Sequence, residues 1–308
     1  MRWLSLYPGE HIYSGLIRYR MRMGQGVMSD KRFFAHNHLP YQWFRSQVPL
    51  NHLMRETLDS IAPKSDEQFT LRLNHTPFAP WLLSLLDGMA PQELKAANHR
   101  PNTEENPFQV DRRWKYCPKC TQAQKAKWGV SYWRAAHQLP GALVCDEHGS
   151  PLHSHDALRY LNFTLPDKWE GTSTPVPMVD AWQVSWQPFI YAIARRLQCQ
   201  PTWGVELRDS IYEVLKLSKP LRRGDRTVVN ALFAQMRNDL GESCLAGLFT
   251  AYARQFTRPT NVLWITLSPF GQSKGLRHPL YWLAIVFWLR EQLPALKDEY
   301  ENGVTTTL

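Results

Sequence analysis

Apolar positions in the patterned stretches of this chain recur at mixed three- and four-residue spacing, so the expected fold class is mainly α. From Glu10 to Met23, the residues Ile12, Leu16 and Ile17 with Tyr19 or Arg20 trace such a stripe. The chain then meets Gly24 and Gly26, which stop a helix. Ser29 or Asp30 is a cap for a second short helix carrying Phe33 and Phe34. Helix, glycine turn, helix predicts an N-terminal helix-turn-helix-like unit. The runs 50–58 and 81–86 add short helices. Beyond residue 180, Pro, Gly and Ser punctuation separates predicted helices at 189–197, 207–217, 226–240, 242–256 and 280–293. In 242–256 the residues Leu245, Leu248, Phe249 and Tyr252 share one stripe. This second set of short helices also suits a helix-turn-helix-like domain.

Polar punctuation divides the chain. Residues 98–109 (NHRPNTEENPFQ) contain almost nothing to bury and read as a linker. From Pro166 to Pro188 four prolines surround Gly171-Thr-Ser-Thr174, while Trp169, Trp182 and Trp186 are expected to pack down. No fixed-period repeat is visible. The expected multi-domain organisation is therefore 1–108, helical and helix-turn-helix-like; 109–165, a metal-binding module; and 166–308, a C-terminal helical domain. A chain of 308 residues is long enough for two or three such units, each with its own core. The longest apolar run, Leu280 to Leu289, has ten residues, whereas a membrane span needs about 20. It predicts a buried core helix.

Composition refines the picture. With 44% hydrophobic and 20% charged residues the chain is globular in type. It carries 13 Trp, and its 36 Lys and Arg against 27 Asp and Glu give a formal charge of +9. That excess admits polyanionic partners, but it is spread over all three segments and forms no basic arm. Three denser clusters stand out: Arg18, Arg20, Arg22, Lys31 and Arg32; Arg112, Arg113, Lys115, Lys119, Lys125 and Lys127; and Lys216, Lys219, Arg222, Arg223 and Arg226. Solvated helix faces have the same composition. The short apolar run before Pro8 does not read as a secretory signal, and five Cys, an odd number, fit a reducing cytoplasmic setting better than a disulfide framework.

The sharpest chemical signal is Cys117-Pro-Lys-Cys120 followed, after 24 intervening residues, by Cys145-Asp-Glu-His148. Two knuckles, each with ligands three positions apart, supply three thiolates and an imidazole, a donor set that favours one tetrahedral zinc ion. A full four-ligand shell leaves no open position for water, so the expected role is structural. His153 and His155 compete with His148 but lack the knuckle spacing. Cys199 and Cys244 have no partner at ligand spacing and are expected to be buried free thiols. Tyr132, Trp133, Leu139 and Val144 are expected to wrap the site and dock it on a helical neighbour, with His137 a core histidine. No HExxH, GxSxG, phosphate-loop or paired acidic motif appears, so no catalytic residue is expected and the protein reads as a non-enzyme.

The block Tyr116-Cys-Pro-Lys-Cys120, the internal Tyr132-Trp133-Arg134 and His137-Gln-Leu-Pro-Gly141, and Cys145-Asp-Glu-His148-Gly-Ser-Pro-Leu152 resemble the signature of TniQ and TnsD proteins, the target-selection factors of cut-and-paste transposons. The opening Tyr7-Pro-Gly-Glu10 with Tyr13-Ser14, and Arg277-His278-Pro279-Leu280 near the other end, are similar to further family elements. The resemblance implies a cytoplasmic, nucleoid-associated adaptor that recruits an AAA+ ATPase regulator and, through it, the transposase. Longer TnsD members read an attachment-site DNA sequence themselves. Shorter CRISPR-associated TniQ members dimerise and ride on the RNA-guided Cascade complex, and the length of this chain favours that second group. A second downstream zinc knuckle, found in some TniQ proteins, has no counterpart here. For this adaptor, Arg18, Arg20, Arg22 and Arg32 on the helical pair, and Arg112, Arg113 and Lys115 beside the first knuckle, are the candidates for contact with crRNA or target DNA.

Overall fold

Helix α1 (Ile12–Arg22) starts where His11 Nδ1 accepts the Tyr13 N–H at 3.2 Å and ends before Gly24, whose φ of 67° is in the left-handed region that favours glycine. A single 3-10 turn, Gln25–Val27, leads to Ser29, whose Oγ accepts the Arg32 N–H, and then to α2 (Asp30–His36). The expected helix, glycine turn and helix are present. The computed structural model describes residues 5–36, 65–84, 109–159, 164–219, 221–252, 261–268 and 278–296. The helix expected at 50–58 and nearly all of the expected linker at 98–109 lie outside them.

The chain divides into two compact units, Met1–Ala79 with Met89–Pro101 and Arg112–Val179, and Pro80–Gly88 with Asn102–Asp111 and Asp180–Leu308. In the first, α1 is buried on every side from Ile12 to Arg20, which its sequence stripe alone does not predict. The cause is its neighbours: Ile12, Tyr13, Leu16, Ile17 and Tyr19 share a core with Phe33 of α2 and with Trp114, Tyr116, Trp133, Leu158 and Leu165. The aromatic residues around the cysteine knuckles and the N-terminal helix thus bury each other. Backbone pairing adds direction. The His11 N–H donates to the Trp133 carbonyl at 2.7 Å, the Ala135 N–H donates to the Gly9 carbonyl at 3.0 Å, and Glu10 and Arg134 form an antiparallel bridge. Helix α3 (Ser65–His75) joins through His75, whose Nδ1 lies 2.8 Å from the Glu10 carbonyl oxygen. Helix α4 (Pro118–Trp128) begins inside the first knuckle, and the two-residue strands β1 (His153–Ser154) and β2 (Thr174–Pro175) pair antiparallel beside the second.

The second unit is helical throughout its longer described stretches. Its helices are α5 (Ala181–Cys199), α6 (Trp203–Val214), α7 (Arg226–Leu240), α8 (Glu242–Leu248), α9 (Val262–Leu267) and α10 (Leu280–Leu289). All ten residues of α10 are buried, the expected core helix, and α5, α6, α7 and α9 pack against it. Phe287 meets the rings of Trp186 and Phe189, each at 5.1 Å, and Trp288 Nε1 donates to Asp239 on α7. Asn261 caps α9 by accepting the Trp264 N–H and donates to the Val229 carbonyl, tying α9 to α7. Three expected bounds need correction. The helix expected at 207–217 is α6, from Trp203 to Val214. Helix α5 begins at Ala181, not 189, because Gln183 caps the Asp180 N–H and Pro188 is accommodated within the helix. Helix α8 stops at Leu248, not 256: Phe249 is extended, and the Thr250 N–H is taken by the Gln109 carbonyl.

Candidate metal centre

Cys117 is the N-cap of α4, in extended conformation, with Pro118 at the first helical position, where a missing N–H costs nothing. Cys120 follows in the first turn, so both sulfurs sit at the positive end of the helix dipole. The second knuckle is a hairpin turn. Val144 bridges to Pro151, the Cys145 N–H donates to the Ser150 carbonyl at 2.8 Å, and the Gly149 N–H donates back to Cys145, with Gly149 at φ 59°. These elements bring Cys117, Cys120, Cys145 and His148 into one cluster able to hold a metal ion.

The distances test the fit. Cys120 Sγ lies 3.6 Å from Cys145 Sγ and 3.2 Å from His148 Nδ1, while Nδ1 is 3.6 Å from Cys145 Sγ and 3.8 Å from Cys117 Sγ. A tetrahedron with zinc–sulfur bonds of about 2.3 Å and a zinc–nitrogen bond of about 2.0 Å has edges of roughly 3.5 to 3.8 Å. The donor set fits a tetrahedral divalent ion.

Electrostatics points the same way. Hydrogen bonds from the Cys120 and Cys145 thiols, with the Cys120 backbone N–H among the lesser causes, push the Cys117 thiol far below its ordinary value, and the thiolate so formed pushes the other two up. Three adjacent thiols cannot all ionise together without a cation between them. The Cys145 sulfur also receives help from the Glu147 and His148 backbone N–H groups. Ser150 Oγ lies 3.2 Å from Cys117 Sγ.

The rival histidines lie elsewhere. His153 on β1 faces the Tyr116 ring, and His155 tilts on Trp169 while its Nδ1 accepts the Ala157 N–H. His137 is a core residue, as expected, but not a conventionally bonded one. Its Nε2 is 3.9 Å from both Cys120 Sγ and Asp146 Oδ1, its Nδ1 has no hydrogen-bond partner, and burial, with Arg134 nearby, lowers its pKa to about 3. Tyr132, Trp133 and Leu139 are buried around the site and Val144 half-buried. Cys244 is the expected buried thiol, its pKa raised by desolvation to about 12. Cys199 is not: as the last residue of α5 it is exposed, whereas Leu197 faces the core.

The candidates for nucleic-acid contact separate by burial. Arg18 is buried and grips Glu10 with Nε and Nη2 at 2.8 and 2.6 Å, under the Tyr7 ring at 3.9 Å. Arg20 is buried and donates to the carbonyls of Gln25 and Met28, and Lys115 is 2% exposed. A buried cation already engaged by the fold cannot release counterions from a phosphate backbone, which removes these three from the candidates. Arg22 and Arg32 are exposed, and Arg112 and Arg113 half-exposed, Arg113 paired with Asp156 at 3.1 Å. Nearby, Lys125 approaches Glu170 at 3.9 Å, so part of the basic excess is neutralised locally.

Sequence reasoning missed Arg134. Its guanidinium reaches Cys120 Sγ at 3.7 Å, Asp146 at 3.7 Å and Glu147, with a side chain 14% exposed. The signal was available: a charge within the run Tyr132-Trp133-Arg134-Ala-Ala136 must be paired if the run is buried. The TniQ family model matches residues 1–152, the stretch from the chain start through both knuckles. No curated protein matches the chain. Among the described residues, no helix is long and apolar enough to cross a membrane.

Proposed function

This chain belongs to the TniQ family by its residues 1–152, a family associated with target selection in transposition, and we propose that it acts as a non-catalytic target-site adaptor. In this reading it links an RNA-guided Cascade complex on the target DNA to an AAA+ ATPase regulator, and through it to the transposase, in the cytoplasm and as a homodimer. The observation that carries the reading is the family match over the stretch that contains the cysteine and histidine cluster. The ion at Cys117, Cys120, Cys145 and His148 is Zn2+, in keeping with a thiolate-rich, closed set of donors. There it fixes the two knuckles relative to one another and offers no position to a substrate.

Burial of Arg18, Arg20 and Lys115 favours guidance by a partner over direct DNA reading by the first unit. Of the seven candidate cations, these three cannot face a duplex. The exposed Arg22 and Arg32 are then contacts that position the adaptor on nucleic acid without reading its sequence. Exposed aromatic surface beside the knuckles suits a protein partner: Trp128 is 39% exposed, stacked on Tyr7 at 4.7 Å with Lys127 over its ring.

A mobility-shift experiment tests this reading, using an attachment-site duplex with and without purified Cascade. Comigration with Cascade in the absence of specific duplex binding is the expected result. Tight, sequence-selective binding by the protein alone overturns it and indicates a TnsD-type selector. Replacement of both Arg22 and Arg32 by Ala is expected to lower the salt dependence of any nucleic-acid contact by about one to two in log–log slope, with sequence preference unchanged.

A further inference from the structure

Three ligating thiolates and a neutral imidazole around a divalent ion leave one net negative charge. Cys120 and Cys145 are 4% and 2% exposed, so that charge is poorly solvated and needs a nearby cation. Arg134 is placed to provide it. It lies between the knuckles in sequence, and its backbone is fixed by the bridge to Glu10 and by the Gln138 Nε2 that donates to its carbonyl. Its Nη1 points at Cys120 Sγ from 3.7 Å while also pairing with Glu147, and Nη2 lies 3.7 Å from Asp146 Oδ2. Asp146 and Glu147 are the two residues between the ligands Cys145 and His148. The turn that carries two ligands therefore also carries the clamp for the guanidinium that faces a third.

We propose that Arg134 is a positioning residue of the metal centre, whose guanidinium sets the charge on the Cys120 sulfur and so governs how firmly that sulfur ligates. The two carboxylates share the guanidinium with the sulfur. Weakening a carboxylate strengthens the donation to sulfur, and removing the guanidinium abolishes it. A thiolate that accepts a hydrogen bond holds its electrons at lower energy, raising the energy of its charge transfer to a bound metal and slowing ligand exchange. The proposal rests on the metal reading above.

The test uses the full chain loaded with Co2+, following the sulfur-to-cobalt charge-transfer band and the rate of metal transfer to a chromophoric chelator. Arg134→Met is expected to move the band to lower energy and speed transfer about tenfold, the low end of the usual effect of groups behind a ligand. Arg134→Lys should restore most of the rate, since it keeps the charge. Glu147→Gln should move the band the opposite way and slow transfer, a direction that mere loosening of the fold does not produce. Glu147 Oε2 itself lies 3.7 Å from Cys120 Sγ, so if Arg134→Met does not fold the Glu147→Gln shift is measured again in Arg134→Lys: a shift that shrinks with the weaker donor supports the role of Arg134, and an equal shift overturns it. A band and rate unchanged in these variants overturn the role of Arg134. A wild-type chain that gives no thiolate–cobalt band overturns the metal reading, and this proposal with it.

Discussion

The two units of the molecule bury their cores by different means. In the C-terminal unit a ten-residue apolar helix, Leu280–Leu289, is enclosed by neighbouring helices, and its stability rests on area removed from water. The N-terminal unit has few long elements in its described stretches. It relies on a cluster of aromatic rings, on the buried ion pair of Glu10 with Arg18, and on a cysteine and histidine cluster at the base of α4 that could hold a metal ion. Apolar burial spreads its energy over many weak contacts, whereas ionic and metal contacts concentrate it in a few residues. The first unit should therefore fail at single points, and the second should degrade gradually.

Removal of the metal is the sharpest way to separate them. Structural zinc is worth about 10–16 kcal/mol in small zinc-binding peptides, so chelation or Cys120→Ser should unfold the first unit. Hydrogen exchange followed by mass spectrometry should then show Ile12–Arg22 and Pro118–Trp128 losing protection while Leu280–Leu289 keeps it. Equal loss in all three segments would break the comparison, and an unchanged metal content in Cys120→Ser would refute the ligand assignment. Next in size is Glu10→Gln, which leaves the Arg18 guanidinium buried beside an uncharged partner. A loss of about 3–5 kcal/mol in urea denaturation is expected, and pairing the change with Arg18→Met should recover part of it.

In the other unit, Leu283→Ala at a fully buried position should cost about 2–5 kcal/mol by the same measurement, with lost protection confined to the C-terminal helices. The smallest expected effect is a pH dependence. Desolvation holds His75 below the ordinary histidine value, although its contact with the Glu10 carbonyl opposes this. The unfolded chain then takes up its proton near pH 6.5 while the folded chain does so lower. This contribution is therefore complete above about pH 6.5 and is lost as the pH falls towards the folded value. His75→Gln should flatten the decline in urea midpoint between pH 7 and 5 relative to the wild type; an unchanged slope would show that His75 does not contribute.

Legibility followed the range of the interactions. The Arg226–Leu240 helix and the start of Glu242–Leu248 were readable because caps and glycines act within a turn. The end of Glu242–Leu248 was not, since a distant carbonyl, that of Gln109, takes the Thr250 amide. Cys117, Cys120, Cys145 and His148 were readable as one cluster for a similar reason: each knuckle is a local turn, and four donors at knuckle spacing suit a shared ion. The charged residues were read less well. Arg18, Arg20 and Arg22 look equivalent on one helix, yet the first two are buried against Glu10 and the carbonyls of Gln25 and Met28, and only Arg22 faces solvent.

By itself, then, the sequence determined the mainly α class, the buried apolar helix and the cysteine and histidine cluster, all of which follow from periodicity, composition and short spacings. The tertiary structure decided that α1 is buried on all sides against the knuckle aromatics, that Arg134 rather than a residue next to a cysteine stands behind Cys120, and which arginines remain for a partner. Those outcomes depend on which surfaces meet. A charge takes its role from the groups that surround it after folding, and the chain order does not specify them.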